Sequence, residues 1–327
     1  MAKAKYDVAG IGNAIVDVLS YTDDGFIAEQ KLHKGTMALI DEARAEELYQ
    51  AMGPATECSG GSVANTMAGI AGLGGKVCYM GRVKDDQLGG IFRHDIKAAG
   101  VHFNTPPATS GKATARCMIF VTPDSQRTMN TYIGACSNFS EADVDETLIA
   151  NSAVTYIEGY LWDEPSAKAA IRKAIETAKK HGRKIAFSLS DPFCVDRHRD
   201  EFLSLVEKSV DILFANEQEI TSLYDTEQLD AIGGILQKRV EIAAITRSEK
   251  GSMVVTPNGV EMVEAERIDH VTDSTGAGDL YAAGFLYGYT NGWSHRASAE
   301  LGGKCAGQII QQLGARSQKK LTELLAA

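Results

Sequence analysis

The sequence lacks the long apolar run of a membrane-spanning helix, which needs about 18 consecutive apolar residues. Its N-terminal residues also lack the apolar stretch of a secretion signal. The six cysteines are scattered and include no Cys-x-x-Cys pair, which argues against a zinc site and against a disulfide framework. These absences predict a soluble cytoplasmic protein that has no membrane partner.

Several motifs of catalysis and nucleotide binding are also absent. No Gly-x-x-x-x-Gly-Lys-Ser/Thr sequence occurs, so a Walker-type NTPase is excluded. Ile15 replaces the third glycine of the dinucleotide-binding motif that Gly10 and Gly12 would begin. The seven histidines show no metal-binding spacing, and no Gly-x-Ser-x-Gly elbow is present. Dinucleotide binding, catalysis by an imidazole-bound metal and serine hydrolysis are therefore not indicated.

Basic residues are outnumbered. The 327 residues include 43 acidic and 33 basic side chains, which gives a formal net charge of −10. An acidic protein gains little from contact with a phosphate backbone, so nucleic acid is not expected as a partner. A small anionic ligand is compatible with this balance, because local cationic side chains and backbone amides can bind one.

The sequence does contain a regular alternation of short apolar runs and helical patterns. Residues 166–182, for example, place Ala170, Ala174, Ile175 and Ala178 at helical spacing. The runs predicted to be strands are 6–12, 76–83, 154–161, 184–190, 210–216, 242–248 and 252–258. This alternation predicts an α/β fold whose mostly parallel sheet is covered by helices on both faces.

Two segments depart from the alternation. Residues 15–40 and 112–133 hold strand-like runs without a helical pattern between them. They predict a small antiparallel sheet that forms a lid on a single core of residues 1–14, 41–111 and 134–327. An edge hairpin without a function is the alternative interpretation.

The strongest local motif is Asp-Ser-Thr-Gly-Ala-Gly-Asp at 273–279, followed by an apolar, helix-forming stretch. A glycine-rich turn before a helix directs backbone N–H groups at one point, where the helix dipole also favours an anion. In the first turn of this helix, Asp279 would be placed to accept a proton from a nucleophile that attacks a phosphoryl group. Alternatively, Asp279 only stabilises the start of the helix.

Two segments near the N-terminus each allow two interpretations. Gly60 and Gly61 precede a helix of small residues that carries Asn65, and this motif could admit a ligand or be a tight turn. Asp17 could accept hydrogen bonds from two adjacent hydroxyls, or it could be a solvated side chain.

Two later segments follow predicted strands, at the sheet edge where α/β proteins bind ligands. Glu219, three residues after Asn216, could reach Mg²⁺ through water or be a first-turn acid of a capped helix. Residues 246–251 could form a nucleotide loop or only a hairpin turn.

Residues 60–100 and 273–286 resemble, in order and separation, the two signatures of the PfkB (ribokinase-like) family of ATP-dependent sugar and nucleoside kinases. The resemblance covers essentially the whole chain. It implies a three-layer α/β/α core with a mostly parallel sheet and a small β-sheet lid. It also implies the use of ATP and Mg²⁺, and transfer of the γ-phosphoryl group to a primary hydroxyl of a small-molecule acceptor.

The resemblance implies catalytic and metal-binding roles for individual residues. Asp279 would be the base. Arg127 on the lid would approach the transferred phosphate, or it could be only a solvated lid arginine. The amides that would form the anion hole are those of Gly276, Ala277 and Gly278. Glu219 would hold Mg²⁺ through water. A monovalent cation such as K⁺ would be held by Asp273 and Thr275.

It also implies two sets of binding residues. Those that would bind the acceptor are Asn13, Asp17, Gly60, Gly61 and Asn65. Those that would bind ATP are Asn216, Thr246, Ser248, Gly251 and Gly278. Ser248 stands where the family usually has glycine.

Within the family, residues 10–18, 156–161, 189–193 and 210–219 resemble the adenosine kinases. This favours adenosine or a related nucleoside as the acceptor. The residues that would contact the purine are Tyr160, Leu161 and Phe193. Thr275 is typical of sugar kinases, so a sugar such as ribose or fructose is the alternative acceptor. A non-catalytic nucleoside or sugar sensor is a further alternative, although a sensor would not need Asp279. Both a monomer and a homodimer are compatible with the sequence.

Overall fold

The computed structural model describes residues 4–124 and 126–326. Residues 1–3, Ser125 and Ala327, which the predicted division assigns to core and lid, lie outside the described residues. In chain order the strands are β1 (Tyr6–Ile11), β2 (Ile15–Tyr21), β3 (Met37–Leu39), β4 (Ala55–Gly60), β5 (Val77–Met80), β6 (His102–Phe103), β7 (Ala115–Val121), β8 (Arg127–Tyr132), β9 (Ser152–Glu158), β10 (Lys184–Ser188), β11 (Ile212–Asn216), β12 (Ile242–Thr246), β13 (Ser252–Thr256) and β14 (Gly259–Val263). The helices are α1 (Asp24–Glu29), α2 (Glu42–Ala51), α3 (Ser62–Gly72), α4 (Gln87–Ala98), α5 (Glu146–Ala150), α6 (Pro165–Lys180), α7 (Pro192–Lys208), α8 (Glu217–Tyr224), α9 (Leu229–Leu236), α10 (Ala277–Thr290) and α11 (His295–Ile309).

The main sheet has nine strands in the order β14–β13–β12–β11–β10–β9–β1–β5–β6. The seven neighbouring strands β6, β5, β1, β9, β10, β11 and β12 run parallel, and β13 and β14 pair antiparallel at one edge. Every strand predicted from the apolar runs lies in this sheet, with its ends within a few residues of the predicted bounds. The predicted α/β fold with a mostly parallel sheet is therefore confirmed.

Helices cover both faces of the main sheet because successive side chains of a strand point to opposite sides. In β11, Ile212 and Phe214 face a cluster that includes Phe285 of α10, whereas Leu213 faces a cluster that includes Ile171 of α6. These layers form the expected three-layer core. None of the described helices combines the length and the apolar character that crossing a membrane requires.

The small sheet has the order β3–β8–β7–β2–β4. It is mixed rather than antiparallel, because β2 pairs antiparallel with β4 but parallel with β7. Residues 15–40 also contain helix α1, whose N-cap Asp23 accepts a hydrogen bond from the N–H of Phe26 at 2.8 Å. Six residues are too few to show a helical period in the sequence. Residues 55–60, which the predicted division places in the core, belong to this sheet as β4.

One face of the small sheet is directed at the core turn 273–279. Directly opposed residues of neighbouring strands share a face, and Asp17 is opposite Cys117 while Val121 is opposite Arg127. On this face Arg127 reaches Asp273 of the core. The other face packs against α1, α2 and α4. The small sheet therefore carries two polar site candidates toward the core.

Candidate active site

The glycine-rich turn forms a helix N-terminus, as its sequence predicts. Helix α10 begins at Ala277, and its N-cap Gly276 has a φ of 78°, in the left-handed region that favours glycine. A Cβ at Gly276 would also crowd Ala315. The N–H of Ala277 donates to the carbonyl oxygen of Ser274 at 3.2 Å and closes the turn. The N–H groups of the first turn lack intrahelical partners, so with the helix dipole they attract an anion.

Asp279 lies in the first turn of α10, and two neutral donors hold its carboxylate. The hydroxyl of Ser62 donates to Oδ1 at 2.7 Å, and the amide of Asn65 donates to Oδ2 at 2.9 Å. Burial raises the pKa of Asp279, while these hydrogen bonds oppose the rise. Because both partners are neutral, the carboxylate keeps its affinity for a proton, as a general base must.

The residues expected to bind an acceptor come together beside α3. Gly61, the N-cap of α3, has a φ of 95°, and a Cβ there would clash with the carbonyl oxygen of Asn13. A Cβ at Gly60 would meet the carboxylate of Asp17. These close approaches place Asn13, Asp17 and the two glycines in one small polar region.

Two side chains of this region can accept hydrogen bonds from hydroxyl groups. Asn65 is 5% exposed, and its Oδ1 has no hydrogen-bond partner among residues 4–124 and 126–326. Burial raises the pKa of Asp17 to about 6, although the charges of Arg127 and Arg316 oppose the rise. A buried acceptor atom without a donor fits a ligand that brings its own hydroxyl.

Glu158 is a buried carboxylate that the predicted site residues do not include. It lies at the end of β9, is 1% exposed, and accepts hydrogen bonds from the N–H and side-chain amide of Asn13, both at 2.8 Å. It also accepts from the N–H of Val63 at 3.0 Å, in the first turn of α3. Burial raises the pKa of Glu158 to about 7. A carboxylate that ends an apolar strand is the sequence signal that points to it.

Arg316 is a second residue that the sequence does not reveal. Its guanidinium donates to the carbonyl oxygens of Ser59 at 3.0 Å and Ala64 at 2.7 Å, and to the hydroxyl of Ser59 at 2.9 Å. It therefore joins the C-terminal segment to β4 and α3. Its charge opposes the rise in the pKa of both Asp17 and Asp279.

Arg127 connects the lid to the core turn. Its Nη1 donates to both carboxylate oxygens of Asp273 at 2.5 Å, and it also contacts the hydroxyl of Thr275. Asp273 accepts further hydrogen bonds from the N–H of Thr275 at 2.9 Å and of Gly314 at 2.8 Å. The lid arginine, the acid and the hydroxyl thus form one cluster immediately before Gly276.

A cleft of about 1310 Å³ extends from Asp279 along the carboxyl ends of the strands. The residues that the sequence assigns to ATP, and that line this cleft, are Asn216, Thr246, Ser248, Gly251 and Gly278. Small and apolar residues of α11 and its neighbourhood form another wall: Val271, Ala299, Gly303, Ala306, Gly307 and Ile310. Ser248 has a φ of 52°, so it occupies a conformation that favours the glycine usual in the family.

Glu219 lines the same cleft and also caps its own helix. It accepts hydrogen bonds from the N–H of Asn216 at 2.9 Å and from its side-chain amide at 2.6 Å, while its own N–H donates back to Asn216. Both interpretations of this segment therefore have a structural basis, because a capping carboxylate can still accept a hydrogen bond from a water.

The carboxylates of the cleft suit a cation that is bound largely by other ligands. No group of three or more His, Cys, Asp and Glu side chains among the described residues could hold a metal by itself. Burial, and then the charges of Asp191 and Asp279, raise the pKa of Glu219 to about 7. Acids that repel one another across a cleft fit Mg²⁺, which keeps several waters and takes its other ligands from phosphates.

The three residues expected to contact a purine differ in their surroundings. Leu161 is 3% exposed and packs in the core, whereas Phe193 is 73% exposed at the start of α7. The hydroxyl of Tyr160 donates to the carbonyl oxygen of Ser190 at 3.2 Å. None of the three is among the described residues that line the cleft.

Known proteins resemble this chain over most of its length. The family model described as pfkB family carbohydrate kinase matches residues 38–321. The structure of adenosine kinase from Sinorhizobium meliloti is 52% identical, with 99% of each chain covered and a TM-score of 0.92. A probable sugar kinase from Rhizobium etli CFN 42 is 49% identical, with 99% of this chain and 98% of the other covered and a TM-score of 0.92. The 5-dehydro-2-deoxygluconokinase of Geobacillus kaustophilus is 26% identical over 286 residues, which cover 83% of this chain and 85% of that protein.

Proposed function

This chain belongs to the pfkB family of carbohydrate kinases, with the ribokinase-like fold, and we propose that it phosphorylates the primary hydroxyl of adenosine or a related nucleoside with ATP. The observation that carries the proposal is the position of Asp279. Its carboxylate lies at the start of α10, between the polar region of Asp17 and Asn65 and the large cleft. A base between two binding regions suits transfer from one ligand to the other.

The acceptor would bind through its hydroxyl groups. Oδ1 of Asn65 and the carboxylate of Asp17 would accept hydrogen bonds from adjacent hydroxyls, while Glu158 holds Asn13 in place. The primary hydroxyl would then donate its proton to Asp279 as it attacks the γ-phosphoryl group. Ser62 and Asn65 orient the carboxylate for this step.

The transferring phosphoryl group would lie at the N-terminus of α10. The amides of Gly276 and Gly278 and the helix dipole would stabilise its negative charge, which is the main requirement of phosphoryl transfer, and the amide of Ala277 would share its hydrogen bond between Ser274 and the phosphoryl group. Mg²⁺, held through water by Glu219, would neutralise charge on the ATP phosphates. The lid, which carries Asp17 and Arg127, would exclude water and so limit wasteful hydrolysis of ATP.

Two observations support a nucleoside as the acceptor. The Sinorhizobium meliloti structure, at 52% identity over 99% of each chain, is described as an adenosine kinase. The segments 10–18 and 156–161, which resemble adenosine kinases in sequence, supply Asn13, Asp17 and Glu158 to the acceptor region.

A sugar is the second candidate acceptor, because Thr275 is typical of sugar kinases and a neighbour at 49% identity is described as a probable sugar kinase. The test is ADP formation from ATP and Mg²⁺ with adenosine, other nucleosides, ribose and fructose as separate acceptors. We expect kcat/KM for adenosine to exceed that for either sugar by about 100-fold or more.

Turnover with a sugar but with no nucleoside would contradict the proposed acceptor and leave the proposed catalytic residues unchanged. Binding of adenosine without turnover would contradict the enzymatic proposal and support a sensor. Asp279→Asn is the control for background hydrolysis, since it should bind both ligands without supporting transfer.

A further inference from the structure

The geometry points to Arg127 as the built-in cation of the Asp273–Thr275 cluster, in the place where the sequence resemblance implies a monovalent ion. We infer that a K⁺ ion and the guanidinium cannot occupy this cluster together, and that the lid therefore supplies the charge. The inference rests on the proposed phosphoryl transfer only for its catalytic consequence.

The carboxylate of Asp273 has its hydrogen-bonding positions filled. Nη1 of Arg127 contacts both oxygens at 2.5 Å, the N–H of Thr275 donates to Oδ1 at 2.9 Å, and the N–H of Gly314 donates to Oδ2 at 2.8 Å. The side chain of Asp273 is 1% exposed and that of Arg127 is 9% exposed. Water and free ions therefore have little access to the pair.

A monovalent ion does not fit beside this pair. K⁺ would need oxygen ligands from Asp273 and Thr275, but the guanidinium of Arg127 already contacts the carboxylate oxygens of the first and the hydroxyl of the second. Two positive charges that share the same ligand atoms would lie close together, and they would repel each other strongly where water is excluded.

The cation comes from the lid. Arg127 is the first residue of β8 and shares a sheet face with Val121, its opposed residue on β7. The turn that it contacts, 273–275, leads directly into Gly276 and the amides at the start of α10. The shape of the anion-binding turn thus depends on a lid residue, and docking of the lid completes it without an ion from solution.

Thallium binding tests the inference without any acceptor. Tl⁺ is a spectroscopic substitute for K⁺, and its binding can be followed by ²⁰⁵Tl NMR, while thermal unfolding is compared in KCl and choline chloride at equal ionic strength. We expect the wild-type protein to show no saturable Tl⁺ signal and the same Tm in both salts. Arg127→Gln should bind Tl⁺ and gain a Tm shift specific to K⁺.

Two variants make the comparison specific. Arg116→Gln removes another lid arginine, one that pairs with Glu46 instead of Asp273, and should behave as the wild type. Arg127→Lys keeps a positive charge and should exclude Tl⁺, so it separates loss of charge from loss of fold. Saturable Tl⁺ binding to the wild type, unchanged by Arg127→Gln, would overturn the inference. Absence of Tl⁺ binding in both would equally overturn the assignment of this cluster as a cation site.

The catalytic consequence is a second, separate readout. Replacing K⁺ by choline should leave kcat of the wild type unchanged, whereas Arg127→Gln should lose activity and recover part of it in K⁺. A chain that phosphorylates no nucleoside would contradict the proposed function but would leave the Tl⁺ and Tm results interpretable. The two proposals therefore fail in distinguishable ways.

Discussion

The two ends of the turn 273–279 each carry an aspartate, and their surroundings differ in kind. Asp279 contacts the neutral donors Ser62 and Asn65, and burial raises its pKa. Asp273 is buried as well, but a bond from Arg127 holds its pKa below the usual value. A base must be able to take up a proton, while a structural acid must stay charged. The difference supports the proposal that one end of the turn performs chemistry while the other fixes its shape.

Exchange of each acid for its amide is expected to give the largest effects on activity and stability. Asp279→Asn should lower kcat by about 100-fold or more, because the proton acceptor is lost, while KM and stability change little. Asp273→Asn leaves the buried guanidinium of Arg127 without its counter-charge, so it should lower the free energy of unfolding by about 3 kcal/mol. Steady-state kinetics of both variants measures the change in kcat, and urea unfolding measures the change in the free energy of unfolding. Equal losses of kcat with normal stability in both would contradict the division of roles.

Glu158 extends the comparison to an acid whose partners are backbone and amide N–H groups. Glu158→Gln places an NH₂ group against the donors of Asn13 or Val63, so at least one hydrogen bond becomes a repulsion. We expect KM for the acceptor to rise about tenfold with a smaller change in kcat, since Asn13 belongs to the acceptor region and not to the base.

Glu176→Gln, the same exchange on the exposed face of α6, is the matched control and should change neither constant. A fall in kcat at constant KM would instead place Glu158 in the proton-transfer step.

Removal of one neutral donor should move the pH profile in a defined direction. The hydroxyl of Ser62 favours the charged form of Asp279, so Ser62→Ala should raise the pKa of that carboxyl further. Because the base acts when deprotonated, the acid limb of kcat/KM should shift upward by about one pH unit, with activity recovered at higher pH. A profile that shifts to lower pH, or a uniform loss at every pH, would contradict the role of this hydrogen bond.

The βα alternation and the turn at 273–279 are local patterns, and both could be predicted from the sequence. A buried strand such as β1 is predicted by its own apolar run, and the turn at Gly276 is predicted by a residue type that tolerates a positive φ. Strand β4 has no such run: its sequence, ATECSG, is half polar, and its position depends on pairing with β2. Its membership of the lid therefore could not be seen before the structure.

The same limit explains the site residues that were missed. Glu158 reaches Asn13 and Val63, and Arg316 reaches Ser59 and Ala64, across large separations in the chain that no local motif records. The family resemblance supplied the residues that we propose bind the acceptor and ATP and act as the base, because it transfers a three-dimensional arrangement. It could not supply the pairing of Arg127 with Asp273, which depends on how this lid meets this turn.

The smallest effect concerns backbone strain beside the cleft. Ser190 and Ser248 both have positive φ values, 76° and 52°, but only Ser190 has a hydroxyl that accepts a hydrogen bond from the N–H of Tyr160, at 3.2 Å. Ser248→Gly should therefore raise the free energy of unfolding by about 0.5 kcal/mol, because glycine tolerates this conformation. Ser190→Gly should give no gain, since relief of strain is offset by the lost bond. Urea unfolding of both variants measures the difference, and a loss of stability in Ser248→Gly would show that its side chain stabilises the loop.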